Sequence, residues 1–121
     1  MASGKCVLIV DDDPTDGELA QRRLEALDVE VDFHQGPEGA VDRIRDGDYA
    51  VVLLDLNMPG ISGLQILHAL REGHADIRVL LYSAMEEPSL AEVAKTAGVE
   101  HLNKTASRTA LVDKVRALLG D

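Results

Sequence analysis

Tryptophan is missing from these 121 residues, phenylalanine occurs once and tyrosine twice. Aliphatic residues must therefore dominate a buried core. Cysteine occurs once, at Cys6, so no disulfide can staple the chain, which suits a reducing cytoplasm. Cys6 lies in an apolar run and reads as a small core residue rather than a reactive thiol. No apolar run approaches the length of a membrane span. Residues 1–10 are too short and too polar at the start for a signal peptide, and Met1 to Gly4 read as a loose terminus. Basic side chains are scarce as well, 12 against 22 acidic, for a net charge of −10. The imbalance is uneven: residues 1–93 carry 7 basic and 19 acidic side chains, whereas residues 94–121 carry 5 and 3. Phosphate contacts need clustered Lys and Arg, so direct nucleic-acid binding is not expected. The acidity either keeps the chain soluble or contains a cation site.

What is present is organised around Val51-Val52-Leu53-Leu54-Asp55-Leu56-Asn57-Met58-Pro59-Gly60. A continuous apolar run closed by a Pro-Gly break reads as a strand buried on both faces. Asp55 is the first charge at its carboxyl end, the edge where open α/β sheets bind ligands. Cys6 to Val10 is a second such run, ending in Asp11-Asp12-Asp13-Pro14. Pro14 suits a first helical turn, and one Asp is enough to cap it. Three consecutive Asp residues exceed that need.

The following stretch places Leu19, Ala20, Leu24 and Leu27 at helical spacing. Val29 to His34 alternates as a half-buried edge strand, and Gly36-Pro37 breaks it. A short helix is predicted from about Glu38 to Arg45, with Ala40, Val41 and Ile44 inward and Gly47 as its stop. The strand Tyr49 to Leu54 follows. Leu64, Ile66, Leu67 and Leu70 then mark a helix to about Glu72. Ile77 to Tyr82 is the fourth strand. Pro88 opens a helix with Leu90, Val93, Ala94 and Ala97 inward and Gly98 as its stop. Val99 to Asn103 is a short fifth strand, and the last helix runs from about Arg108 to Leu119. Strand–helix alternation repeated five times implies a (βα)5 doubly wound parallel sheet. Such a flavodoxin-like, five-stranded sheet commonly takes the order 2-1-3-4-5. The whole chain, 1–121, reads as one domain with a core at about 5–119.

In that order strands 1 and 3 are neighbours, and Asp11, Asp12 and Asp55 share one crevice. Their mutual repulsion is tolerable if a divalent cation sits among them, and hard oxygen ligands suit Mg²⁺. Ser83 ends strand 4. Lys104 ends strand 5, about 10 Å from Asp55 at normal strand spacing, within reach of a long side chain. These parts fit phosphoryl transfer to a carboxylate. Asp55 would be the nucleophile, Lys104 and the metal would meet the negative oxygens, and Ser83 would donate a hydroxyl to them. Ala84 is small and leaves room for a donor.

With these motifs in view, the sequence resembles the receiver domains of two-component response regulators, from about Lys5 to Leu119. The likeness rests on Leu8-Ile9-Val10-Asp11-Asp12, Asp55-x-x-Met58-Pro59 with Gly63, Ser83-Ala84 and Lys104. It implies a cytoplasmic signalling module that catalyses only its own phosphorylation and dephosphorylation. By this resemblance Asp12 binds Mg²⁺ directly and Asp11 mainly through water. Asp55 is phosphoacceptor and metal ligand, Asn57 lends its backbone carbonyl to the metal, and Ser83, Ala84 and Lys104 hold the phosphoryl group. The donor would be a histidine kinase or histidine phosphotransfer protein. A downstream protein would read the face of helix 4, strand 5 and helix 5, where Lys95, Arg108 and Lys114 are expected to be exposed.

Two positions depart from the family pattern. His101 stands where the switch residue is aromatic, and it is read as a surface His or as an altered switch. Thr105 stands where many members have Pro. His34, His68 and His74 lack metal-ligand spacing and are expected to be solvated, and Tyr82 is expected to serve packing. A pseudo-receiver that binds without phosphorylation is the main alternative. An Asp-nucleophile phosphatase is the second, but it wants a carboxylate at the position of Asn57. No linker or output segment follows the last helix in this sequence. A stand-alone protein and a receiver cut from a longer regulator both stay open.

Overall fold

The computed structural model describes residues 5–60, 62–73 and 77–120; Met1 to Gly4 and His74 lie outside them. Five strands, β1 (Cys6–Asp11), β2 (Glu30–Gln35), β3 (Val51–Leu54), β4 (Arg78–Ser83) and β5 (Glu100–Asn103), alternate with five helices. The helices are α1 (Pro14–Arg23), α2 (Ala40–Asp46), α3 (Gly63–Gly73), α4 (Glu87–Ala97) and α5 (Arg108–Leu119). All strand pairs are parallel, in the order β2-β1-β3-β4-β5. The architecture is the flavodoxin-like α/β sheet that the alternation predicts.

The central strands are apolar along their middles because each covers two cores. Alternate residues Leu8, Val10, Val52, Leu54 and Leu81 face α2, α3 and α4, where Ile44, Ile66, Leu70 and Leu90 meet them. Val7, Ile9, Val51, Leu53 and Leu80 face the other way, toward Ala20 of α1 and Leu111, Val115 and Leu119 of α5. Tyr82 packs in this second core, and its hydroxyl accepts a hydrogen bond from Arg23 at 3.2 Å.

Several expectations need correction. Leu19 and Leu64 are exposed, at 45% and 40%. On α1 the buried positions are Gly17 and Ala20, and Leu19 lies one residue off that stripe. The helix stops at Arg23, and a 3-10 turn, Leu24–Ala26, carries Leu24 into the core. Cys6 is half-buried at the start of β1, with Sγ 3.8 Å from Asp32. Burial first, then Asp32 and Glu30, push its thiol up to about 11, so it is a protonated thiol at neutral pH. His34 is half-buried rather than solvated, with Nε2 2.7 Å from the Glu38 carbonyl, whereas His68 is exposed.

Candidate functional site: a lysine among three carboxylates

Asp11 is the last residue of β1, and Asp55 directly follows β3. Val10 pairs with Leu54, and the Asp55 N–H donates to the Val10 carbonyl at 3.0 Å. Both side chains therefore leave the sheet at the same level. They are buried, 2% and 6% exposed. Two adjacent buried carboxylates require a cation. Lys104 supplies it, with Nζ 2.7 Å from Asp11 Oδ2 and 3.4 Å from Asp55 Oδ2. A third carboxylate, Asp16 on α1, lies 2.9 Å from the same nitrogen.

The local backbone explains this convergence. The Lys104 N–H donates to the Ser83 carbonyl at 2.9 Å, continuing the β4–β5 pairing one residue past β5. Asp13 caps α1, with Oδ1 accepting the Thr15 N–H at 2.9 Å, and Pro14 follows at the first helical position. Gly63 opens α3 against the Asp55 carbonyl, where a Cβ would stand 2.3 Å from the oxygen. Only glycine permits that approach.

The charges respond to burial. Desolvation raises the Asp11 carboxyl above its ordinary value, and Asp55 adds to this; the Lys104 ammonium and the Asp13 N–H pull the other way without cancelling it. Burial also opposes the Lys104 charge, but Asp11, Asp16 and Asp55 outweigh it and hold the ammonium above its ordinary range. The remaining carboxylate oxygens are also bonded: Asp11 Oδ1 accepts the Asp13 N–H at 2.9 Å, and Asp55 Oδ1 accepts the Asn57 N–H at 3.2 Å.

The other expected site residues surround this centre. Asp12 is exposed at the rim, and Asn57 is exposed on the loop after Asp55. Ser83 is fully buried, and its hydroxyl accepts the Met85 N–H at 3.2 Å. Ala84 is exposed beside it. Asn103 holds the neighbouring loop: Nδ2 donates to the Met85 carbonyl at 2.7 Å, and Oδ1 accepts from both the N–H and hydroxyl of Thr105. That bonding restrains the turn at which a proline would otherwise fix φ. His101 is not a free surface side chain. It is half-buried, with Nε2 2.9 Å from Glu87 Oε1 in the first turn of α4. Lys114, expected to be exposed, pairs with Glu100 at 3.0 Å.

Among the described residues, no group of three His, Cys, Asp or Glu side chains is arranged to cage a metal. The donor set nonetheless suits a hard cation, since Asp11 and Asp55 present carboxylate oxygens side by side with Asp12 next in the chain. In the structure the Lys104 ammonium offsets part of that charge.

Asp16 escaped the sequence reading. A signal for it existed: counting back four and three residues from buried Ala20 reaches Asp16 and Gly17, so a carboxylate lay on the inward stripe of α1.

The family model for the response regulator receiver domain matches residues 7–116. The chain belongs to the response regulator receiver domain family. The transcriptional regulatory protein YkoG of Bacillus subtilis is 31% identical over 115 residues, which are 93% of this chain and 50% of YkoG. This receiver thus spans about half the length of the curated relatives it matches. Among solved structures, the response regulator TrrA of Thermotoga maritima, determined in complex with Mg²⁺-BeF, is 32% identical. Its TM-score is 0.84, and the match covers 94% of this chain and 98% of TrrA. The signal receiver domain of the putative response regulator NarL of Mycobacterium tuberculosis is 31% identical with a TM-score of 0.82, covering 96% of both chains. No helix among the described residues is long and apolar enough to cross a membrane.

Proposed function

We propose that the chain acts as a single phosphorylatable receiver domain with Asp55 as phosphoacceptor. An Asp55 carboxylate oxygen attacks the phosphorus of a phosphohistidine on a sensor kinase or histidine phosphotransfer protein. The P–N bond breaks, its electron pair stays on the imidazole nitrogen, and the product is an aspartyl phosphate. The observation that carries this reading is the buried Asp11–Asp55 pair held at the carboxyl edge by one Lys104 ammonium.

Asp11, Asp12, Asp55 and the backbone carbonyl of Asn57 would hold Mg²⁺, which when bound supplies positive charge to the reacting oxygens. Lys104 meets the phosphoryl oxygens with a fixed charge. Ser83 turns its hydroxyl from the Met85 N–H toward them, and exposed Ala84 leaves the approach open. Movement at Ser83 shifts the loop that Asn103 and His101 hold, and so changes the surface of α4, β5 and α5 that a downstream protein reads. Replacing Lys95, Arg108 or Lys114 on that face is expected to weaken this partner and leave phosphorylation intact.

The deciding experiment is intact mass after incubation with a small-molecule phosphodonor, with and without Mg²⁺, alongside Asp55→Asn. A Mg²⁺-dependent gain of one phosphoryl group, absent in Asp55→Asn, supports the reading. The second reading, a pseudo-receiver that signals by contact alone, draws on Lys104 already pairing with both buried carboxylates and on His101 at the aromatic position. Absence of both mass gain and Mg²⁺ binding would favour it.

A further inference from the structure

We propose that Asp16 is a positioning residue for Lys104: it keeps the ammonium paired on the α1 side of the crevice when Asp11 and Asp55 turn to a cation. This rests on the receiver chemistry proposed above. Lys104 is half-buried, with a side chain only 13% exposed, and its three anionic partners are not equivalent. Asp11 and Asp55 are the buried strand-end carboxylates that a divalent cation would claim. Once claimed, they no longer neutralise the lysine, and a buried ammonium without a counter-ion is strongly disfavoured.

Asp16 has no such double duty. It sits on a helix rather than a strand end, its side chain is 38% exposed, and it reaches Lys104 Nζ at 2.9 Å. Its position is also fixed. Gly17, the next residue, packs so closely on the Phe33 ring that a Cβ would lie 2.2 Å from it, which locks α1 against β2. The Asp13 cap and Pro14 set the start of the same helix. Asp16 thus stays in place while the strand-end carboxylates exchange partners, and it makes release of Lys104 from them less costly.

The test is a double-mutant cycle on Mg²⁺ affinity, read by titration calorimetry on the unphosphorylated chain. Asp16→Asn is expected to weaken Mg²⁺ binding about tenfold, within the range of coupling seen between contacting residues. In a Lys104→Met background the same change is expected to alter affinity by less than about twofold. Asp16→Glu, which keeps the charge, should restore most of the loss. Equal weakening in both backgrounds would mean a through-space charge effect and would overturn the proposal, as would no weakening at all.

A second readout does not depend on Lys104→Met folding. The Lys104 ammonium should give a slowly exchanging NMR signal on Mg²⁺ addition in the wild type and lose it in Asp16→Asn; retention in the variant also overturns the proposal. Wild type that neither binds Mg²⁺ nor gains a phosphoryl group removes the receiver chemistry and this inference with it. Wild type that does both, with a flat Asp16 cycle, removes the inference alone.

Discussion

Asp11 carries the charge that the fold accommodates least well. Its carboxyl is raised, chiefly by burial, so the folded chain holds that proton more tightly than the unfolded chain. The Asp11 contribution to stability is therefore fully present below the ordinary Asp value and is lost as pH climbs through the raised folded value. Asp11→Asn is expected to raise the melting temperature at neutral pH by a few degrees, the shift that about 1 kcal/mol produces in a domain of this size. It should also flatten this segment of the stability–pH curve. Calorimetric melts between pH 3 and pH 8 check both, and a lower melting temperature in the variant would show that the Lys104 pairing outweighs desolvation. Asp11 and Asp55 were legible in the sequence because each is the first charge after an apolar run, a position with a fixed meaning in a parallel sheet, and Lys104 because it follows the short fifth strand at the same edge. The partner of His101 was not legible, since Glu87 lies 14 residues away and meets it only across α4 and β5.

Elements follow the same division. The inner strands β1, β3 and β4 were legible because burial on two faces demands apolar runs, β2 was legible from its alternation, and α4 from Pro88 and Gly98. The end of α1 was not, because Leu24 and Leu27 keep helical spacing although the chain tightens to a 3-10 turn there. How closely elements approach was equally hidden. Gly63 entered the sequence reading only as part of the family motif, and the Asp55 carbonyl beneath it supplies the physical reason for a glycine there. Gly63→Ala must push α3 away from that carbonyl. It should lower stability by roughly 2 kcal/mol, the scale of an overpacked contact, and should slow the proposed phosphorylation of Asp55 as well. Thermal melts and the intact-mass assay check the two effects, and a variant with native stability would mean that α3 shifts at little cost.

At the scale of the whole molecule, a net charge of −10 repels itself. Exposed pairs such as Arg22–Glu18 and Lys114–Glu100 offset little of this. Raising NaCl from about 0.02 M to about 0.5 M is therefore expected to increase the melting temperature, because screening weakens long-range repulsion more than it weakens the buried Lys104 contacts. A decrease would show that the surface pairs dominate. The order of the strands is a molecular property of the same kind: no single stretch encodes it, and alternation narrowed it only to the commonest arrangement.

The crevice also has a chronology. Asp11 and Lys104 are 93 positions apart, with all of β3 and β4 between them. During synthesis the two strand-end carboxylates leave the ribosome before their covalent counter-ion does. A nascent sheet that joins β1 to β3 before Lys104 arrives does so against a repulsion that the finished chain partly offsets. A soluble divalent ion would relieve that repulsion first, so the cation proposed for the finished crevice would also serve its assembly.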